Sequence, residues 1–384
     1  MTPKAKHQFN RYDRQQRIKH WNQESLKNAR LLVAGAGALG NEYLKNIALS
    51  GIGHILVIDF DHIEGSNLNR TVLFREFDIG KNKAEIAASA IQDLNPDIDI
   101  RFMNANLLYD IGLGFIRNVD LVAGCLDNLA ARAHLGISCS LTSTPYLDGG
   151  MWSMGGEVRW FLPGDNICFD CTLSSDDRQM AYQRRSCSGY RDHEMDDIIP
   201  AHVSTTSVIS GIMAQETVRY LCGWDVDGGE AIVYNGLSMK LHKSKLSGNP
   251  DCTYHVPYPD IISINDRVSG MSAIDLLKLT EKDFTEKPLL ELGRDFLLGF
   301  ECKSCGTEQR INQNLYTIYE SQIMCPDCSK PREAIIISNV DASNYYSEYK
   351  LDQLGVPPGE ILTIRSGDKL KWYELHKDIE TFWA

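Results

Sequence analysis

LLVAGAGALG (31–40) and ILVIDFDHIEGSNLNR (55–70) decide the fold. The first is an apolar strand that breaks at Gly35, Gly37 and Gly40 and runs on into a helix. The second is another apolar strand, ending in Asp59-Phe-Asp61 with Asn67 and Arg70 just beyond. A glycine turn between strand and helix lets backbone N–H groups approach a phosphate, and the helix N-terminus favours its negative charge. An acid about 20 residues later, at the next strand end, suits a ribose hydroxyl. The segment therefore predicts a nucleotide site.

Outward from it, strands are expected at 30–35, 54–59, 98–104 and 120–125, with helices near 38–50, 81–94, 109–118 and 128–141. This alternation predicts an α/β domain with a mostly parallel sheet. From residue 146 the pattern turns extended, and a polar connector at 172–203 precedes a helix at 204–221. Such a long connector is expected to be functional or mobile. Prolines and polar residues near 256–268 mark a boundary, giving domains 1–256 and 269–384.

The chain has 384 residues, a net charge of −12 and 11 cysteines. The negative charge argues against general nucleic-acid binding. No apolar run approaches the roughly 18 residues of a membrane span, and the polar N-terminal arm lacks a signal-peptide core. A cytosolic location is the expectation, and in a reducing compartment paired cysteines read as metal clips. Cys302-x-x-Cys305 and Cys325-x-x-Cys328 have zinc-ribbon spacing, placing a structural Zn²⁺ ribbon at 300–330. Cys125, Cys139 and Cys222 lie in apolar surroundings and read as core thiols.

The residues after Asp59 do not suit a dehydrogenase. Asn67, Arg70 and Lys83 follow within one crossover, and two cations with an amide suit a triphosphate losing pyrophosphate. Asp127, at another strand end, suits Mg²⁺, which takes one or two carboxylates plus phosphates.

RYDRQ (11–15), GAGALG (35–40), DFDHIEGSNLNR (59–70), GKNK (80–83) and CLDN (125–128), in this order, resemble the adenylation domain of E1 ubiquitin-activating enzymes and their ThiF-type bacterial relatives. The resemblance covers roughly residues 8–256 and implies a Rossmann-like fold. It departs at Thr71, where the family usually has Gln, and at Asn41-Glu42, where a small residue is commoner. It implies an ATP site of Gly35, Gly37, Gly40, Asp59, Asp61, Asn67, Arg70 and Lys83, with Asp127 on Mg²⁺. Arg14 would come from a neighbouring subunit, which implies a homodimer. Cys168, Cys171, Cys252 and His255 would hold a first structural Zn²⁺, the last position differing from the family's cysteine. Cys187, between Arg184-Arg185 and Ser188, matches the position of the acceptor cysteine; adjacent arginines favour its thiolate. His193 and His202 share that connector and read as solvated loop histidines.

The expected activity is adenylation of the C-terminal carboxylate of a ubiquitin-like protein, then thioester formation on Cys187 and transfer to an E2-type carrier. The short connector resembles the compact bacterial E1 group, including those of antiviral conjugation operons. A sulfur-carrier adenylyltransferase, a noncatalytic E1-like scaffold subunit and a dinucleotide oxidoreductase are the alternatives. The last is disfavoured by Asn67, Arg70 and Lys83.

Overall fold

The structure is a computed structural model and describes residues 10–183, 202–318 and 320–384. Helix α1 (Gln23–Asn28) and strand β1 (Arg30–Ala34) open it, followed by α2 (Ala38–Ser50), β2 (His54–Ile58), α3 (Lys83–Leu94) and β3 (Asp99–Met103). Then come α4 (Leu113–Arg117), β4 (Leu121–Gly124), α5 (Leu129–Leu141), β5 (Tyr146–Trp152) and β6 (Gly155–Phe161). Helices α6 (Ser175–Gln183) and α7 (Val203–Leu221) precede the hairpin β7 (Glu230–Asn235) and β8 (Lys240–Lys245). These strands make one eight-stranded sheet in the order β3-β2-β1-β4-β5-β6-β7-β8.

The first five in that order pair in parallel, as the strand–helix alternation predicts, and β6 to β8 add antiparallel strands. Strands β1, β2 and β4 are apolar almost throughout because helices cover both faces. One core layer packs α2, α3 and α7 on the sheet; the other packs α4, α5 and the loop around Phe169. The order of strands reverses between β1 and β4, so the ends of β1, β2 and β4 converge on one crevice.

A second sheet follows, built from β9 (Ile261–Ile264), β10 (Leu289–Glu301), β11 (Glu308–Asn314), β12 (Glu333–Asp341), β13 (Ile361–Ser366) and β14 (Lys369–Leu375). Helix α8 (Ala273–Thr280) packs on it through Ala273, Leu276 and Leu277. Strand β9 pairs in parallel with β14, so this sheet starts at Ile261, within the stretch whose prolines and polar residues read as a boundary. Helix α4 is shorter than the expected 109–118, and α6 occupies the first part of the expected connector.

The last helix, α9 (Lys377–Trp383), leaves the second sheet and packs against the first unit. Ile379 joins its core, and Phe382 meets Phe115 edge-on at 5.4 Å. Glu374, fully buried, accepts hydrogen bonds from Arg117 at 3.1 Å and Asn118 at 3.0 Å. Arg294 reaches the carbonyl oxygens of Leu108 and Ile111 and pairs with Glu360 at 2.7 Å. The two units thus share buried polar contacts as well as apolar ones. Among the described residues, no helix is long and apolar enough to cross a membrane.

Candidate functional site

The three glycines do three different things. Gly35 has φ +96°, and a Cβ there would lie 2.5 Å from the Cys125 carbonyl oxygen. A Cβ at Gly40 would lie 1.9 Å from the Gly35 carbonyl oxygen, so α2 packs directly on the turn. A Cβ at Gly37, the N-cap of α2, would meet nothing within 4 Å. Gly37 therefore faces open space at a helix N-terminus, where a phosphate can approach the backbone.

Beside this turn, Asp59 directly follows β2. Its two carboxylate oxygens accept the backbone N–H groups of Ala36 at 2.7 Å and Asp61 at 2.9 Å. Burial pushes the Asp59 carboxyl above its ordinary value, against the lowering effect of those two bonds and of Lys83. Lys83, the first residue of α3, pairs with Asp61 at 2.9 Å with only 13% of its side chain exposed. Gly35, Gly37, Gly40, Asp59, Asp61 and Lys83 are thus brought together at the ends of β1 and β2.

Asn67 and Arg70 lie on the turn after β2. Asn67 accepts the Glu64 N–H at 2.9 Å, closing a short 3₁₀ turn. Arg70 folds back to donate to the Ser66 carbonyl at 2.5 Å and Asn69 at 3.1 Å. Thr71, unusual for the resembled family, is buried and donates to the Asn67 carbonyl at 3.0 Å. Asp127 is exposed just past β4, where Asn128 caps α5 by accepting the Ala131 N–H at 2.8 Å.

Two asparagines hold the site's backbone in a way the sequence does not announce, although Asn41 stands out there as a departure. Asn41, fully buried, donates to the Ala36 carbonyl and accepts the Leu73 N–H at 2.6 Å. It stitches the glycine turn to Leu73, three residues beyond Arg70. Asn82 donates to the carbonyls of Asp59 and Asp61 and caps α3 at Glu85. Its position just before a helix is the one signal that could have found it.

Arg14 is exposed on an arm held far from this crevice. Gln15 donates to the Ser50 carbonyl at 2.8 Å, and the Tyr12 hydroxyl accepts from Asn95 at 2.8 Å. Both anchors lie at the C-terminal ends of α2 and α3. The 13 residues of α2 separate that end from the glycine turn, about 20 Å at 1.5 Å per residue. Cys187 and His193 lie outside the described residues. His202 is the N-cap residue of α7, without a side-chain cap.

Cys168, Cys171, Cys252 and His255 converge, their ligand atoms all within 4.8 Å of one another. Cys168 Sγ is 3.8 Å from both Cys171 Sγ and Cys252 Sγ, and Cys171 Sγ is 2.8 Å from His255 Nε2. A tetrahedral zinc with Zn–S bonds of 2.3 Å has sulfur–sulfur edges of about 3.8 Å, so the two sulfur pairs match it and the Cys₃His donor set suits Zn²⁺. Cys302, Cys305, Cys325 and Cys328 form a second cluster, with sulfur pairs at 3.4 and 3.7 Å. It too fits a closed four-cysteine zinc. Cys125 and Cys139 are buried thiols whose pKa burial drives up, as inert core cysteines require. Cys222, half-buried after α7, accepts the Asn22 N–H at 3.4 Å.

The ThiF family model matches residues 12–254. The chain is similar to the NEDD8-activating enzyme E1 catalytic subunits of Caenorhabditis elegans (41% identity over 165 residues) and Arabidopsis thaliana (31% over 272). These alignments cover 40% and 65% of this chain, but only 38% and 57% of those two proteins. It is also similar to the molybdopterin-synthase adenylyltransferase of Escherichia coli (strain K12), 31% identical over 250 residues, covering 63% of this chain and 94% of that one. The structure of the microcin C7 biosynthetic enzyme MccB in complex with N-formylated MccA superposes with a TM-score of 0.55 at 22% identity, covering 64% of this chain and 75% of that one. That likeness is one of fold.

Proposed function

The chain belongs to the ThiF family, and from that membership we propose that it is an E1-like enzyme acting on the C-terminal carboxylate of a ubiquitin-like protein with ATP. The observation that carries the reading is the turn at Gly35–Gly40, open only at Gly37, with Asp59 and Lys83 fixed beside it. Asp59 accepts a ribose hydroxyl. The Gly37–α2 N-terminus and Lys83 receive phosphates, Lys83 exchanging Asp61 for them. Asn67 and Arg70 lie on the turn that follows, and Arg70 turns outward from its own loop to meet the leaving pyrophosphate. Asp127 would hold Mg²⁺ through its exposed carboxylate, and the ion would offset the charge that builds on the departing phosphates.

A carboxylate oxygen of the substrate attacks the α-phosphorus; the bond to the β-phosphate bridging oxygen breaks, and pyrophosphate leaves with the electron pair. The acyl-adenylate is thereby a better acyl donor. Cys187 thiolate then attacks the acyl carbon and expels AMP, giving a thioester for an E2-type carrier. Arg14 completes the phosphate site of the adjacent copy in a homodimer. Its anchorage about 20 Å from its own glycine turn supports that assignment.

A second reading, adenylation of a sulfur-carrier protein without a thioester step, is favoured by the match over 94% of a molybdopterin-synthase adenylyltransferase. Pyrophosphate–ATP exchange with candidate ubiquitin-like proteins, followed by a nonreducing gel, separates the two. A thiol-sensitive adduct that disappears in Cys187→Ala is the expected result. Exchange without such an adduct leaves the sulfur-carrier reading, and no exchange with any such protein defeats both.

A further inference from the structure

The loop that carries Asp127 is gripped from both sides by a buried polar cluster. On the strand side, Gly124 is the register partner of Asp148 on β5. A Cβ at Gly124 would lie 2.5 Å from the Tyr146 hydroxyl, so this hydroxyl sits directly against the end of β4. The same hydroxyl donates to Asp148 Oδ1 at 2.9 Å. On the helix side, Arg132 stands one turn into α5, its N–H bonded to the Asn128 carbonyl. Its guanidinium meets Asp148 with two nitrogens, Nε at 3.0 Å and Nη2 at 2.5 Å.

This ion pair is nearly dry. Asp148 is 0% exposed and the Arg132 side chain 15%. The face of the guanidinium lies 5.0 Å from the centroid of Phe169, the residue after Cys168 of the metal clip. The backbone makes room for the arrangement: a Cβ at Gly150 would come 2.7 Å from Arg132 Nη2. A buried, two-pronged pair of this kind is a weak source of net stability but a strong constraint on geometry. Here the geometry it constrains is the four-residue link 125–128.

We propose that Tyr146, Arg132 and Asp148 are positioning residues that fix the 125–128 loop, and through it the Asp127 carboxylate, for the metal–nucleotide complex. This rests on the ATP reading above. The clamp touches no substrate; it acts by holding β4 and α5 at a set separation, so that the loop between them has one conformation.

The test is calorimetric titration of the full chain with MgATP, and with ATP in EDTA. Two mild variants carry it. Tyr146→Phe removes one hydroxyl, and Gly150→Ala displaces the guanidinium without removing any charge. Each is expected to weaken MgATP about tenfold and to leave metal-free ATP unchanged, within the range that remote packed residues achieve. In an Asp127→Asn background neither variant should weaken MgATP further, because the group they position is gone. Arg132→Lys should fall between wild type and Arg132→Ala.

Equal losses with and without Mg²⁺, or the same loss in the Asp127→Asn background, show a general structural role and overturn the proposal. Unchanged MgATP affinity in both variants overturns it as well. If the wild-type chain binds no ATP, the nucleotide reading itself fails and the clamp falls with it.

Discussion

At the scale of single residues, the glycine turn separates packing from ligand access. Gly40→Ala would force a Cβ into the Gly35 carbonyl and is expected to cost about 1–3 kcal/mol in urea unfolding. Gly37→Ala meets no neighbour and gives up only a favoured N-cap residue, so its unfolding free energy should fall by about 1 kcal/mol or less while nucleotide affinity drops. Equal stability losses at both positions would contradict this division. Asp59 adds a pH dependence. Burial raises its carboxyl, and in the proposed site a ribose hydroxyl would donate to the ionised form. ATP affinity should therefore fall as the solution is acidified through that raised value, and the dependence should vanish in Asp59→Asn. The glycines and Asp59 are legible in sequence because their spacing is dictated by a backbone turn. Asn41, Asn82 and Asp148 are not: a lone amide or acid reads as surface until its distant partners are known, which lie 32 residues off for Asn41 and 21 and 23 for Asn82.

At the scale of elements, hydrophobic periodicity places β1, β2 and β4, since strands buried on both faces are written as unbroken apolar runs; β3, DIRFM at the sheet edge, is legible only from the alternation around it. Periodicity misses β9, four residues among prolines whose strand character comes from pairing with β14, more than 100 residues later. The metal clips are legible for another reason: ligand spacing is set by coordination chemistry. Clip geometry predicts two zinc equivalents per chain by atomic absorption. His255→Ala should lower this to one, and Cys305→Ser with Cys325→Ser should also lower it to one while sparing the first clip. The first clip joins Cys171 to Cys252 across 81 residues, a loop whose closure is worth about 4–5 kcal/mol in the chain-entropy picture. Chelation should accordingly destabilise the whole first unit.

At the scale of the molecule, the second unit is bound to the first by Glu374, Glu360 and α9. Nothing local in the sequence announces this, because the apolar residues of α9 serve a surface formed by α4 and the starts of β1 and β2. Glu374→Ala strips the buried acceptor from Arg117 and Asn118. Arg117 is a third exposed, so water recovers part of the loss, and about 2–3 kcal/mol is expected. Urea unfolding should then show the second unit releasing first, as an added early transition; one unshifted transition would show the interface to be dispensable.

The arm that carries Arg14 has a different consequence. Anchored at the far end of α2, it would, on the proposed assignment of Arg14, leave each chain with a site that its own residues do not finish. Catalysis would then be a property of the pair, and specific activity should decline on dilution. Two defective proteins, Arg14→Ala and Asp127→Asn, should regain turnover when mixed, since one of the two crevices in a mixed pair receives every group it needs.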